Sequence, residues 1–453
     1  MSGSPSGAET VIESIDDLVD HIRTGEKSRE LWKVGTEHEK IGLYRKDLSR
    51  VSYEGDDGIR GLLEEISESD GWSRTYESDE ILVALEKDGA SITLEPGGQL
   101  ELSGAPLRTI HETCSEFHRH LEVIRSPSEA RDIVWLSLGI DPCHSVREVP
   151  KVPKQRYGVM RDYLPAKGTL PLEMMHLTST VQANFDFSDE NDMAKKMRTA
   201  TAVSPIVSAI FANSSIAGGQ DSGFISKRVD IWQNTDRDRC GLLPFVFEDD
   251  FGYRDYVEWA LDVPMFFRFS GGSYRRMNGA SFRSLLDGLP NESPATLMDF
   301  ELHLTTLFPE VRLKRFIEVR GADAVPPGLL CALPALWKGI LYDRDSLDAA
   351  WDLVSSWSFA ERLVALDQVA RLGLEAAVEG RPVLELAKDL VEISAAGLGN
   401  LGVEQCINPD ETSYLEPIRR VLEMGKSPGQ IVMEKWINSW SGSFERLVDF
   451  SKF

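Results

Sequence analysis

Two periods of hydrophobic residues alternate along the chain. Val11, Ile12, Ile15, Leu18, Val19 and Ile22 recur at helical spacing and predict an amphipathic helix. From about 31 to 105 the period shortens to two, in strand-like runs separated by glycine turns, with one short helix at "IRGLLEEISES". "HETCSEFHRHLEVI" predicts a helix and "DIVWLSLGID" a buried strand. "MHLTSTVQANFDFS" alternates from Thr180 to Phe187, and "LKRFIEVRGAD" alternates again. "ENDMAKKMRTATAVSPIVSAIFANSS" predicts one long helix with a kink near Pro205. Beyond about 330, "SLDAAWDLVSSW", "RPVLELAKDLVEISAAGL" and "YLEPIRRVLEMG" return to spacings of three and four.

Strands and helices interleave up to about 330, which predicts an α+β fold. Residues 1–10 are small and polar and are expected to be disordered. Residues 11–453 are expected to form a single domain, an α+β core to about 340 followed by a helical part, 341–453.

Side chains two apart on a strand share a face, and this sorts the polar residues. Glu37 and Glu39 share a face in "GTEHEKIG", as do Gln99 and Glu101 in "GGQLELSG". Gln182, Asn184 and Asp186 oppose Val181, Ala183 and Phe185, and Glu318 and Arg320 oppose Ile317 and Val319. Two explanations stay open. One is an antiparallel sheet with a solvated side. The other is a carboxylate-rich face whose mutual repulsion a divalent cation relieves, hard oxygen ligands suiting magnesium. The turn Pro96–Gly97–Gly98 separates Glu95 from Glu101 and is expected to bring both to one metal. Arg312, Lys314, Arg315 and Arg320 surround Glu318, an arrangement suited to a polyphosphate. No Walker loop or dinucleotide fingerprint is present, so ATP, if bound, would be held by the sheet and its metals. His38 faces away from the Glu37–Glu39 pair and is expected to be structural.

Composition narrows the classes. A formal net charge of −24 argues against non-specific nucleic-acid binding. The start lacks the apolar core of a signal peptide, and no run of about 18 apolar residues occurs. A cytoplasmic protein with no membrane or nucleic-acid partner is the expectation. The five cysteines have no zinc-site spacing, and a reducing compartment fits them best.

"GTEHEK", "SITLEPGGQLELSGAPL", "TVQANFDF", "FANSS", "GLLPFVFEDDFG", "ALDVPM", "HLTTLFPEVRLKRFIEVRGAD" and "LCALPALW" follow one another as in a known family. Over about residues 30–345, and more weakly through the tail, the chain resembles glutamate–cysteine ligases of the plant and proteobacterial type. The resemblance implies a glutamine-synthetase-like carboxylate–amine ligase fold, a curved antiparallel sheet forming a funnel with helices on its outer face. It implies a single catalytic domain that ligates the glutamate γ-carboxylate to the cysteine amine through γ-glutamyl phosphate. ATP would be the co-substrate and Mg2+ the cofactor.

Carried onto matching positions, the resemblance implies Glu37, Glu39, Glu95, Glu101, Glu318 and Gln182 as magnesium ligands. Arg320 would act on the transferred phosphoryl group with Glu318 beside it, and Asn184, Arg312 and Lys314 would bind ATP. Arg228 would receive the glutamate α-carboxylate, with Trp232, Met175, Arg161 and Phe266 as further substrate contacts. Phe266 stands where plant members often carry Tyr, and Leu177 where they usually carry Arg. Cys114 and Cys331 match one regulatory disulfide of the plant enzymes, while Met277 and Asn291 fall near the other. A monomer or homodimer is expected. A ligase using another amine acceptor, and a non-catalytic binding protein on the same scaffold, are the alternatives.

Overall fold

The longest strand, β1 (Val34–Tyr44), carries the alternation that the sequence predicts and lies inside a sheet rather than at its edge. It belongs to a computed structural model that describes residues 10–77, 81–405 and 410–453. The expected disordered start lies, apart from Thr10, outside the described residues, as does Cys406. The other strands of this sheet are β2 (Ser73–Glu77), β3 (Ile81–Lys87), β4 (Ala90–Leu94), β5 (Leu100–Ser103), β6 (Ile133–Leu136), β7 (Val181–Phe185), β8 (Val311–Leu313) and β9 (Ile317–Val319). Their order is β8-β9-β7-β1-β5-β4-β3-β2, with β6 pairing the second half of β1. Every pairing is antiparallel, which fits the expected α+β class.

Register decides which side chains meet. Glu39 stands opposite Glu101, Glu37 opposite Gln182, and Glu318 opposite both Asn184 and Arg312 on its two neighbours. The intervening residues, among them Val181, Ala183, Ile317 and Val319, join a buried apolar cluster with the helix Glu190–Ile210. That back face is also covered by the helix Ile110–Ala130, whose Phe117 meets the His38 ring edge-on at 4.7 Å. The helix Ala332–Tyr342 covers it too, with Tyr342 edge-on to Phe185 at 5.4 Å. Gly42 allows one such contact, since a Cβ there would lie 2.7 Å from the Trp135 ring.

The tail carries the helices Arg344–Asp352, Phe359–Leu372, Val383–Gln405, Glu416–Met424, Pro428–Asn438 and Phe444–Ser451. Leu366, Leu390 and Ile418 from it share one apolar cluster with Phe185 and Ile206.

Two helix ends differ from the periodicity. The first helix begins at Ile15, because Ser14 and Asp17 form a capping box. Ile12 instead donates its N–H to the Ala295 carbonyl. The long helix stops at Ile210 rather than running through "FANSS". The Asn213 amide donates to the carbonyls of Ser137 and Ala324, and its backbone N–H donates to Asp323 at 2.7 Å. These tertiary bonds replace continued helix.

Candidate active site

One cavity opens over the carboxylate-bearing face of the sheet, with roughly 790 Å³ of empty space partly open to solvent. Its wall collects Glu37 and Glu39 from β1, Glu95 and Glu101 flanking the turn into β5, and Gln182 from β7. Arg312 comes from β8, Arg320 follows β9, and Arg228 and Trp232 come from the helix Lys227–Gln233. Pro96, Gln99 and Met175 line it as well. The solvated-face alternative fails at Glu37, Glu101 and Gln182, which are all buried.

The turn into β5 is built to hold Glu95 near Glu101. Gly98 donates its N–H to the Glu95 carbonyl at 2.9 Å and adopts φ +77°, which favours glycine. A Cβ on Gly97 would lie 2.3 Å from the His176 carbonyl oxygen. Gln99 ties the loop down, accepting from the Gly97 N–H at 2.9 Å and donating to the Thr178 carbonyl at 2.8 Å.

Charge divides the wall in two. On one side, burial and the charges of Glu95 and Glu101 hold the Glu39 carboxyl well above its usual range. Glu39 accepts the Thr180 N–H at 3.1 Å, and Glu101 accepts the Ser103 hydroxyl. On the other side Glu318 is fully buried. Arg312 Nη2 donates to both of its oxygens at 2.6 and 2.8 Å and Arg312 Nε to one at 3.2 Å, Arg320 donates a further bond, and Lys314 forms an ion pair with it at 2.8 Å. Although burial opposes it, the charges of Arg312, Lys314 and Arg320 hold the Glu318 carboxyl well below the usual range.

Among the described residues, no three His, Cys, Asp or Glu side chains already converge as a metal cluster. Magnesium retains several waters and needs only one or two carboxylates beside a phosphate, so a closed cage is not required. The mutually repelling Glu39, Glu95 and Glu101 fit that demand. Glu318 would reach a metal only by releasing one of its three cationic partners.

Other expected residues stand elsewhere. Asn184, on the same strand face as Gln182, is outside the cavity lining and donates to Glu37 at 2.9 Å. Lys314 lines a second cavity of roughly 1800 Å³ empty space, with Ser91, Thr93, Thr305 and Phe316; Thr305 borders both cavities. Phe266 is buried outside the first cavity, under the Arg239 guanidinium at 3.9 Å. Arg161 is outside it too. Arg156, on the same helix (Gln155–Tyr163), lines it instead, because residues five apart on a helix point about 140° apart. Arg156, Tyr157, Met160, Met174, Thr178, Thr180, Thr305 and Phe308 line the cavity and were not singled out from sequence. A basic residue on a helix of weak amphipathicity was the only available signal, and it pointed equally to Arg156 and Arg161. Cys114 and Cys331 are free thiols within hydrogen-bonding reach of each other.

The family model described as glutamate-cysteine ligase family 2 (GCS2) matches residues 33–449. The chloroplastic glutamate–cysteine ligase of Solanum lycopersicum is 42% identical over 438 residues, 96% of this chain and 82% of that protein. The chloroplastic enzyme of Brassica juncea is 42% identical over 453 residues, 98% and 86% of the two chains. Among solved structures, a bifunctional glutathione synthetase from Pasteurella multocida aligns over 98% of this chain and 53% of its own. Its TM-score is 0.45 at 11% identity. The curated relatives are named chloroplastic, which overturns the expectation of a cytoplasmic protein.

Proposed function

The chain belongs to glutamate–cysteine ligase family 2, and on that premise we propose that it joins the γ-carboxylate of glutamate to the amine of cysteine, the first step of glutathione synthesis. ATP is the co-substrate, and residues 11–453 act as one catalytic unit. A γ-carboxylate oxygen attacks the γ-phosphorus and ADP leaves. The cysteine amine then attacks the acyl carbon of γ-glutamyl phosphate and inorganic phosphate leaves.

The observation that carries this reading is one cavity wall bearing four glutamates beside Arg228, Arg312 and Arg320. Magnesium, when bound, would supply positive charge against the phosphates. Glu37, Glu39, Glu95, Glu101 and Gln182 would hold it, with Glu318 joining only on release of a cation. Arg320 and Arg312, fixed by Glu318, meet the charge that develops on the transferred phosphoryl group. Lys314 and the larger adjoining cavity receive the nucleoside end. Arg228 receives the glutamate α-carboxylate, with Trp232 stacked under its guanidinium at 5.6 Å. Asn184 orients Glu37.

The test is ADP release from the purified protein with ATP, magnesium and glutamate across a panel of amines. Cysteine is expected to be the best acceptor. A different amine with a higher kcat/KM would overturn the acceptor, and no ADP with any amine would overturn the ligase.

A further inference from the structure

Arg228 sits on a seven-residue helix, too short to hold its own orientation. Its outer nitrogens donate to the carbonyls of Gly321 and Arg320 at 3.2 and 3.0 Å, and its Nε is buried without a partner. Behind the start of that helix lies Asp323, itself buried. Its Oδ2 accepts from the Asn213 N–H at 2.7 Å and the Ser214 hydroxyl at 2.6 Å, and its Oδ1 from the Ser226 hydroxyl at 2.9 Å. Each hydroxyl passes the contact on. Ser214 Oγ accepts the Arg228 N–H at 3.0 Å, and Ser226 Oγ accepts the Val229 N–H at 3.3 Å. Gly139 permits this close packing, since a Cβ there would lie 2.6 Å from the Asp323 side chain. Asp323 is also the foremost attractive charge acting on Arg228, ahead of Glu310 and Glu39.

We propose that Asp323 is the positioning residue that sets Arg228 for the α-carboxylate of glutamate, acting through Ser214 and Ser226. It lines neither cavity, so it acts on substrate only through Arg228. A rigid anchor matters because a guanidinium recognises a carboxylate by geometry as well as charge. The inference rests on the role proposed above for Arg228.

Steady-state kinetics of the magnesium-loaded enzyme test it, with Arg228→Ala as reference. Arg228→Ala is expected to raise the glutamate KM about a hundredfold. Asp323→Asn is expected to raise it about tenfold, with the KM for ATP within about twofold. An unchanged glutamate KM in Arg228→Ala overturns the Arg228 role and this inference together. A raised KM in Arg228→Ala with none in Asp323→Asn, or equal rises for glutamate and ATP in Asp323→Asn, overturns this inference alone. Should Asp323→Asn fail to fold, Ser214→Ala/Ser226→Ala decides the matter. A selective rise in the glutamate KM supports the inference, and an unselective or absent one overturns it.

Discussion

Glu39 and Glu101 stand directly opposite each other on adjacent antiparallel strands, two carboxylates in a position where sheets usually place opposite charges. Glu95 adds a third negative charge to the same cavity wall. Such repulsion costs stability in the empty site, a cost that the cation proposed above would relieve on binding.

Glu39→Gln should therefore stabilise the metal-free protein, by about 1 kcal/mol, while removing ligase activity. Thermal unfolding with chelator and then with magnesium checks this. Wild type should gain more from magnesium than the variant, and an equal gain would refute the assignment of Glu39 to the metal.

Glu318→Gln should remove turnover and also lower stability, by about 3–5 kcal/mol. The variant leaves Arg312, Lys314 and Arg320 packed around a neutral amide in a fully buried position. Urea unfolding beside the ADP assay separates the two effects. A variant as stable as wild type would show that the cations relax outward.

Arg50 joins the turn before β5 to the core. It donates to the Gly97 carbonyl at 2.5 Å and to Asp141 at 2.8 Å. Burial pushes the Asp141 carboxyl up, but His144 and Arg50 more than reverse this and bring it to about 2. A carboxyl lowered in the fold supplies stability that is present above its unfolded pKa, about 3.9, and is lost as pH falls through about 2. Asp141→Asn should thus cost about 2–3 kcal/mol at pH 7, the gap from wild type narrowing between about pH 4 and 2. Chemical denaturation across that range reads it. A gap independent of pH would remove the ionised pair from the account.

The hydrogen bond from Cys331, with help from His118, pulls the Cys114 thiol down to about 6. Burial pushes Cys240 up to about 12 and raises Cys143 as well. Iodoacetamide at pH 7 should label Cys114 first among the four described cysteines, with a rate that rises through about pH 6. Equal labelling of Cys114 and Cys143 would contradict this arrangement.

Strand period alone identified the face of Glu37, Glu39, Glu101, Gln182 and Glu318, because neighbours two apart must share a side. It also turned His38 away, and His38 Nδ1 indeed lies 2.8 Å from Lys40 Nζ on the covered face. Local turn chemistry at Pro96–Gly97–Gly98 was equally legible, since φ preferences are set by the residues themselves.

Partners far apart in sequence were not legible. Nothing in "QRYGVMRDY" chooses Arg156 over Arg161 until strands and helix are packed together. The cations around Glu318 were legible from spacing, but not that Arg312, Lys314 and Arg320 bind its carboxylate directly and so hold it back from a metal. Asp323, three residues beyond Arg320, reads as the end of a strand. Its contacts to Asn213, Ser214 and Ser226 span about a hundred residues and exist only in the packed molecule. The sequence by itself determined the strands, their polar face and the family, because these follow from period and local chemistry. Only the tertiary structure decided which charges are neutralised and which await a ligand, because burial and pairing depend on what the rest of the chain brings alongside.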